Sequence, residues 1–187
     1  MKFTGERVVI GDMWTHITTL QEHIARYNFA LQPAETKTVL DAACGTGYGS
    51  KLLAEAALSV LGIDNSKETI DYASKLYPDI EFKVYDLDKE FPDQDFDCCI
   101  SFETIEHLNN PEVFLENVSK HCMEFIFSIP INNASTWHKH VWSKEQIIEM
   151  IGKHWKNVFW YQQADMHINQ LDKGLYPAQF MIGSAIK

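Results

Sequence analysis

Along this chain, short apolar runs alternate with stretches in which apolar residues recur every three or four positions, the mixed pattern of strands separated by helices. Thr38-Val39-Leu40-Asp41-Ala42-Ala43 is expected to be a strand that enters a glycine-rich turn, with a helix following over Gly49 to Ala57. Val60 to Ile63 reads as the next strand, ending at Asp64. Ser66 is placed to cap a helix that runs to about Leu76. Glu81 to Val84 and Phe96 to Phe102 are the third and fourth strands. Asn110 with Pro111 marks a helix start, Asn110 as cap and Pro111 in the first turn. Met123 to Ile129 is a fifth strand, and Ser143 with Gln146 has the spacing of a capping box for a helix over Lys144 to His154. Val158 to Tyr161 and Phe180 to Ile186 close the pattern. With no helix between them, they are expected to pair antiparallel at a sheet edge.

Strand-helix alternation of this kind predicts an α/β fold of the Rossmann-like, doubly wound type. Its sheet would have seven strands, mostly parallel with an antiparallel edge strand, and helices on both faces. A length of 187 residues and 45% hydrophobic content suit one domain, with 1–35 as a helical lead-in or lid and 36–187 as the core. No linker, repeat or low-complexity tract divides it. The longest apolar run is too short for a membrane span and the opening residues do not resemble a secretory signal, so a cytoplasmic location without membrane insertion is expected. Cys44, Cys98, Cys99 and Cys122 lack CxxC spacing and read as reduced, mostly buried thiols. A net charge of −10 repels a phosphate backbone, which disfavours nucleic acid as a partner.

In an open parallel sheet, ligands bind beyond the carboxyl ends of the central strands. There the first loop carries Asp41-Ala42-Ala43-Cys44-Gly45-Thr46-Gly47-Tyr48-Gly49, whose glycines let backbone approach a ligand closely. Asp64 lies 23 residues after Asp41 at the tip of its strand, where a carboxylate can take both hydroxyls of a ribose. Tyr85-Asp86-Leu87 sets an acid beside apolar groups, suited to an adenine amine and ring face. A nicotinamide dehydrogenase shares the turn and the acid but prefers GxGxxG, whereas this chain has GxGxG after a strand aspartate. A non-catalytic module that only binds the cofactor is the other alternative.

The segments DAACGTGYG, GID, YDL and SFETIEHL, in that order, resemble the class I S-adenosylmethionine-dependent methyltransferases, over nearly all of the chain from Arg26 onward. The resemblance implies S-adenosyl-L-methionine as cofactor. Its methionine part would be held by Asp41, Ala43, Gly45 and Gly47, its ribose by Asp64, and its adenine by Asp86 and Leu87, with Phe102 and Glu103 also beside it. GERVV and Glu22-His23-Ile24-Ala25-Arg26-Tyr27 are similar to the lead-in of a subgroup linked to sugar and surface-polysaccharide modification. In that subgroup Arg26 would pair with the cofactor carboxylate and Tyr27 would cover it. The chain departs from many members in running through Lys120-His121-Cys122-Met123 without a Pro-Gly-Gly turn.

Methyl transfer from a sulfonium requires the protein mainly to align the nucleophile and remove its proton. Glu103-Thr104-Ile105-Glu106-His107 after the fourth strand and Trp137-His138-Lys139-His140-Val141-Trp142 after the fifth can converge to do both. Three readings stay open. Glu103 can orient the cofactor while Glu106, His107 and His140 serve the fold. Alternatively, His107 or His140, with Glu106, can do catalytic proton transfer. Or Glu103, Glu106, His107 and His140 can ligate Mg or Mn. This last pattern resembles the ExxEH with a later histidine of the small-RNA 3′-terminal 2′-O-methyltransferases and the ExxEH of ubiquinone-pathway O-methyltransferases. Among the five tryptophans, Trp14, Trp137, Trp142, Trp155 and Trp160, two flank the His138-Lys139-His140 triplet, where indoles suit stacking against a ring. The first 20 residues, the loop Ile131 to Trp142, and Gln162 to Tyr176 are expected to wall the acceptor. The favoured acceptor is a hydroxyl of a saccharide or other small molecule, with aromatic or quinone-like compounds and RNA ends as alternatives.

Overall fold

The computed structural model describes Val9, residues 17–171 and residues 178–187. The expected contributions of Trp14, of GERVV apart from Val9, and of 172–177 lie outside the described residues. In chain order the elements are α1 (Ile17–Ala34), β1 (Thr38–Ala42), α2 (Tyr48–Leu53), β2 (Ser59–Asp64), α3 (Lys67–Leu76), β3 (Glu81–Val84) and β4 (Phe96–Phe102). A short 3₁₀ turn (Ile105–His107) follows, then α4 (Pro111–His121), β5 (Cys122–Pro130), α5 (Lys144–Gly152), β6 (Asn157–Ala164), β7 (His167–Gln170) and β8 (Phe180–Ile186).

All eight strands form one sheet in the order β3-β2-β1-β4-β5-β8-β6-β7. β3, β2, β1, β4 and β5 run parallel, and β8 pairs antiparallel with both β5 and β6. Alternate residues of the central strands feed two apolar layers, as a sheet buried on both faces requires. Leu40, Cys99, Phe125 and Phe127 lie with Phe114, Leu115, Val118, Ile147 and Ile151 of α4 and α5. Val39, Ile100 and Ile126 lie with Tyr27, Ala30 and Ala34 of α1 and Leu53 of α2.

Three details differ from expectation. The sheet has eight strands rather than seven, because β7 folds back on β6 through a turn at Asp165, whose φ is 53°. β6 and β8 pair antiparallel as expected, but β8 lies between β5 and β6, and β7 rather than this pair is outermost. α2 stops at Leu53, short of Ala57, and α5 stops at Gly152. The side-chain caps of α3 and α5 follow the spacing: Ser66 accepts from the Thr69 N–H, and Ser143 and Gln146 form the reciprocal box. Asn110 occupies the cap position of α4 without a side-chain capping bond. Asp88 does that work from the β3–β4 loop, accepting the backbone N–H groups of Asn109 (2.7 Å) and Asn110 (3.1 Å).

Candidate functional site

The chain turns from β1 outward to β2 and β3, then returns to place β4 on the other side of β1. This reversal opens a crevice at the carboxyl ends of β1 and β4. The loop from Ala43 to Gly47 borders it, with Ala43, Gly45 and Gly47 all in the left-handed region (φ 62°, 56° and 80°). A Cβ at Gly47 would lie 2.8 Å from the Phe82 ring and 2.9 Å from Ala73 Cβ, so the loop rests tightly on its own scaffold. Gly45 faces open space, with nothing within 4 Å of the same added atom. The Cys44 N–H donates to the Ile63 carbonyl at 2.8 Å and fastens the loop to β2.

Asp41 is buried beneath this loop, where the Tyr27 hydroxyl donates to Oδ1 (3.1 Å) and Ser50 Oγ to Oδ2 (2.6 Å). Burial pushes its carboxyl up to about 6, against the lowering pull of the Ser50 and Tyr27 hydrogen bonds. Asp64, at the end of β2, accepts the Ser66 N–H on Oδ1 (2.9 Å) and the Gly45 N–H on Oδ2 (3.2 Å), tying the glycine loop to the start of α3. Asp86 lies nearer the surface, where the ammonium of Lys89 holds its carboxyl below the usual range. Leu87 belongs to the core layer beneath α4.

α1 closes the crevice from one side. Tyr27 packs edge-on against Phe102 and Tyr48 at 5.1 Å and 5.7 Å. The Tyr48 hydroxyl meets His23 Nδ1 at 2.9 Å, and burial followed by the Arg26 charge lowers the His23 imidazole to about 3. Arg26, only 1% exposed, lies over the Phe180 ring at 4.5 Å and reaches Glu103 Oε1 with Nη1 at 3.4 Å. Its Nε has no hydrogen-bond partner. Glu103 itself has a φ of 51° and exchanges two 3.1 Å hydrogen bonds with Ser128: its N–H donates to Oγ, and Oγ donates to its Oε1. Burial raises its carboxyl while Arg26 and Ser128 pull it back. The sequence pattern assigns no role to Ser50, Ser128, His23 or Tyr48, since hydroxyl and imidazole partners of a loop leave no periodic signal.

Beyond Glu103, the expected quartet separates. Glu106, His107 and His138 come together, with one candidate ligand atom from each lying within 4.8 Å of the others. Glu106 is 0% exposed and neither carboxyl oxygen has a hydrogen-bond partner. Burial, then the nearby charge of Glu103, pushes its carboxyl well above the ordinary range. His107 places Nδ1 3.0 Å from the Trp137 carbonyl and Nε2 3.9 Å from Glu106 Oε1. His138 sets Nδ1 2.9 Å from the Asn133 carbonyl and meets His107 edge-on at 5.0 Å.

His140 is not in the group. Its Nε2 lies 3.0 Å from the Leu108 carbonyl and its ring stacks on Trp142, because the loop is clasped at Glu106, whose carbonyl accepts the N–H groups of Lys139 and His140. Glu103 is likewise turned toward Arg26 and Ser128. Trp137 is 50% exposed beside the cluster, whereas Trp142, Trp155 and Trp160 pack on the core. Among the described residues, no helix is long and apolar enough to cross a membrane.

Residues 40–123, from β1 to the start of β5, match the family described as Methyltransferase domain. The 235L protein of Invertebrate iridescent virus 6, named as a methyltransferase, is 30% identical over 165 residues, 84% of this chain and 60% of that protein. A Mycolicibacterium smegmatis protein named as an S-adenosylmethionine-dependent methyltransferase is 30% identical over 113 residues, 58% of this chain and 42% of its own. The chain thus spans three fifths or less of the length of these curated relatives. The solved structure of an S-adenosylmethionine-dependent methyltransferase from Clostridium acetobutylicum superposes with a TM-score of 0.68, covering 89% of this chain and 91% of that one, at 13% identity, which speaks to the fold alone. Strand order, the acid-glycine loop at the switch point and the matched methyltransferase domain agree, and the chain is similar to the S-adenosylmethionine-dependent methyltransferases.

Proposed function

We propose that this chain binds S-adenosyl-L-methionine in the crevice at β1 and β4 and transfers its methyl group to a hydroxyl oxygen of a saccharide or other small molecule. In this reading, 1–35 is the lead-in and 36–187 the catalytic core of one domain. The observation that carries it is the meeting of Asp64 with the left-handed loop at Gly45, above which space is open. The residues present suit the cofactor. Asp64 can accept from ribose hydroxyls, backbone at Ala43, Gly45 and Gly47 can border the methionine part, and the buried Arg26 guanidinium, with Nε unpartnered, suits a carboxylate. Asp86, Leu87 and Phe102 would flank the rest, and Tyr27 and Asp41 fix the loop from below.

When bound, the cofactor supplies a methyl group on a positively charged sulfur. The chain then has to hold the acceptor, exclude water and take one proton. Glu103, held by Arg26 and Ser128, would help orient the cofactor. His107 and His138 each set Nδ1 on a backbone carbonyl, so in the neutral ring Nε2 is the atom that can accept a proton from a hydroxyl. Trp137, half exposed beside them, offers a face for a sugar ring.

A calorimetric and thermal-shift comparison of S-adenosylhomocysteine with nicotinamide dinucleotides tests the reading. Saturable binding of the former alone is expected; preference for a dinucleotide overturns it. Screening saccharides and small phenols with labelled cofactor then tests the acceptor.

A further inference from the structure

We infer that Glu106, His107 and His138 form a binding site for a borderline transition-metal dication, of the zinc, cobalt(II) or iron(II) class, rather than for magnesium. Three observations converge. First, the candidate ligand atoms of these residues lie within 4.8 Å of one another, although they come from the 3₁₀ turn after β4 and the loop after β5. Second, Glu106 is completely buried and neither carboxyl oxygen has a hydrogen-bond partner. A buried polar group without a partner is costly, and such groups persist where something else satisfies them. Third, each imidazole has its Nδ1 on a backbone carbonyl, Trp137 for His107 and Asn133 for His138. A carbonyl only accepts, so each Nδ1 carries a proton, and in the neutral ring this leaves the lone pair on Nε2, the outer-shell arrangement that fixes metal-ligating histidines.

Ligand chemistry sets the ion class. Two imidazole nitrogens and one carboxylate suit borderline ions that leave coordination positions open. Magnesium prefers an all-oxygen shell and retains its waters. The site thereby differs from an oxygen-richer quartet of Glu103, Glu106, His107 and His140. Glu103 is engaged by Arg26 and Ser128, and His140 by the Leu108 carbonyl and Trp142. The inference rests on the proposed function and changes one step of it: with an ion held there, Nε2 of His107 and His138 would be ligands rather than proton acceptors, and the ion would bind an acceptor oxygen and ease loss of its proton.

The test uses the full chain stripped of metal by a chelator. Cobalt(II) is titrated while its visible absorption is followed, and zinc and magnesium are titrated by calorimetry. One equivalent of cobalt(II) is expected to bind with nitrogen-ligated spectra, to be displaced by zinc, and to resist a large excess of magnesium. His138→Ala, His107→Ala and Glu106→Gln should each weaken cobalt(II) binding by at least about tenfold, whereas His140→Ala should leave it nearly unchanged. Magnesium binding as tightly as zinc, retention of the site in His138→Ala, or equal loss in His140→Ala would overturn the inference. A cooperative thermal melt confirms that each variant is folded, and S-adenosylhomocysteine binding is measured on the same samples. The latter separates the two proposals: metal binding without cofactor binding sinks the methyl-transfer reading alone, and cofactor binding without metal binding sinks this one alone.

Discussion

Tyr27 of α1 lies so flat against Gly49 of α2 that a Cβ at position 49 would fall within the Tyr27 ring. The same tyrosine donates its hydroxyl to Asp41 under the glycine loop, so one residue joins α1 to the crevice at β1 and β4. In an exposed helix, replacing glycine by alanine gains about 1 kcal/mol. Gly49→Ala should do the reverse here and lower stability by about 1 to 3 kcal/mol through overpacking, read from chemical denaturation. With Tyr27→Ala already present, the added cost of Gly49→Ala should largely vanish. A raised denaturation midpoint in the single variant would contradict this packing.

Asp64→Ala should weaken S-adenosylhomocysteine binding by well over tenfold, from the roughly 1.5 to 3 kcal/mol of charge-assisted hydrogen bonds to ribose hydroxyls. Asp64→Asn, which keeps one acceptor oxygen, should fall between. Calorimetry on folded variants reads both, and wild-type affinity in the alanine variant would remove Asp64 from the site.

Two buried groups should pull stability in opposite directions with pH. Asp41, raised from 3.8 to about 6, holds its proton more tightly when folded, so its contribution is lost as pH rises from about 4 through 6. His23, lowered from 6.5 to about 3, holds its proton less tightly when folded, so its contribution is lost as pH falls from 6.5 toward 3. Relative to the wild type, Asp41→Asn should therefore gain stability as pH rises from 4 to 6, and His23→Gln should lose it. Each slope is bounded by about 1.4 kcal/mol per pH unit. Denaturation midpoints across this range decide, and slopes of the same sign in both variants would refute the assignment.

At the start of α4, Asp88→Ala should cost about 1 to 2 kcal/mol, because two backbone N–H groups and the Asn109 side chain lose an anionic acceptor. Asn110→Ala, at the formal cap position without a side-chain capping bond, should cost only a few tenths. The reverse order in thermal melts would return the capping role to Asn110.

The central parallel strands were legible because they are apolar on both faces, and β1 and β2 also carry an acid at or next to their ends: Leu40 before Asp41, Ile63 before Asp64. The Ser66 and Ser143 caps were legible for the same local reason. β7 was not, since Ile168 is the only apolar residue in His167-Ile168-Asn169-Gln170 and no alternation can be seen. Nor can periodicity report strand order, so the antiparallel pairing of β6 with β8 was legible but the place of β8 beside β5 was not. The glycine loop and Asp64 were readable as neighbours because both terminate adjacent strands. The choice between His138 and His140 was not. Two imidazoles two residues apart have equal claims in one dimension, and hydrogen bonds to the Glu106 and Leu108 carbonyls separate them in three.

The position of β8 also constrains the order in which the sheet can be assembled. β6 touches the rest of the sheet only through β8, which is made after it. A nascent chain that has reached Gln170 holds β6 and β7 as a detached hairpin and leaves the edge of β5 unpaired, with Phe125, Ile126 and Phe127 along it. Such an edge invites pairing with another chain until residues 180–186 arrive and zip both sides at once. Release of that segment from the ribosome, rather than completion of the cofactor crevice, is then the step at which the growing protein ceases to be prone to association.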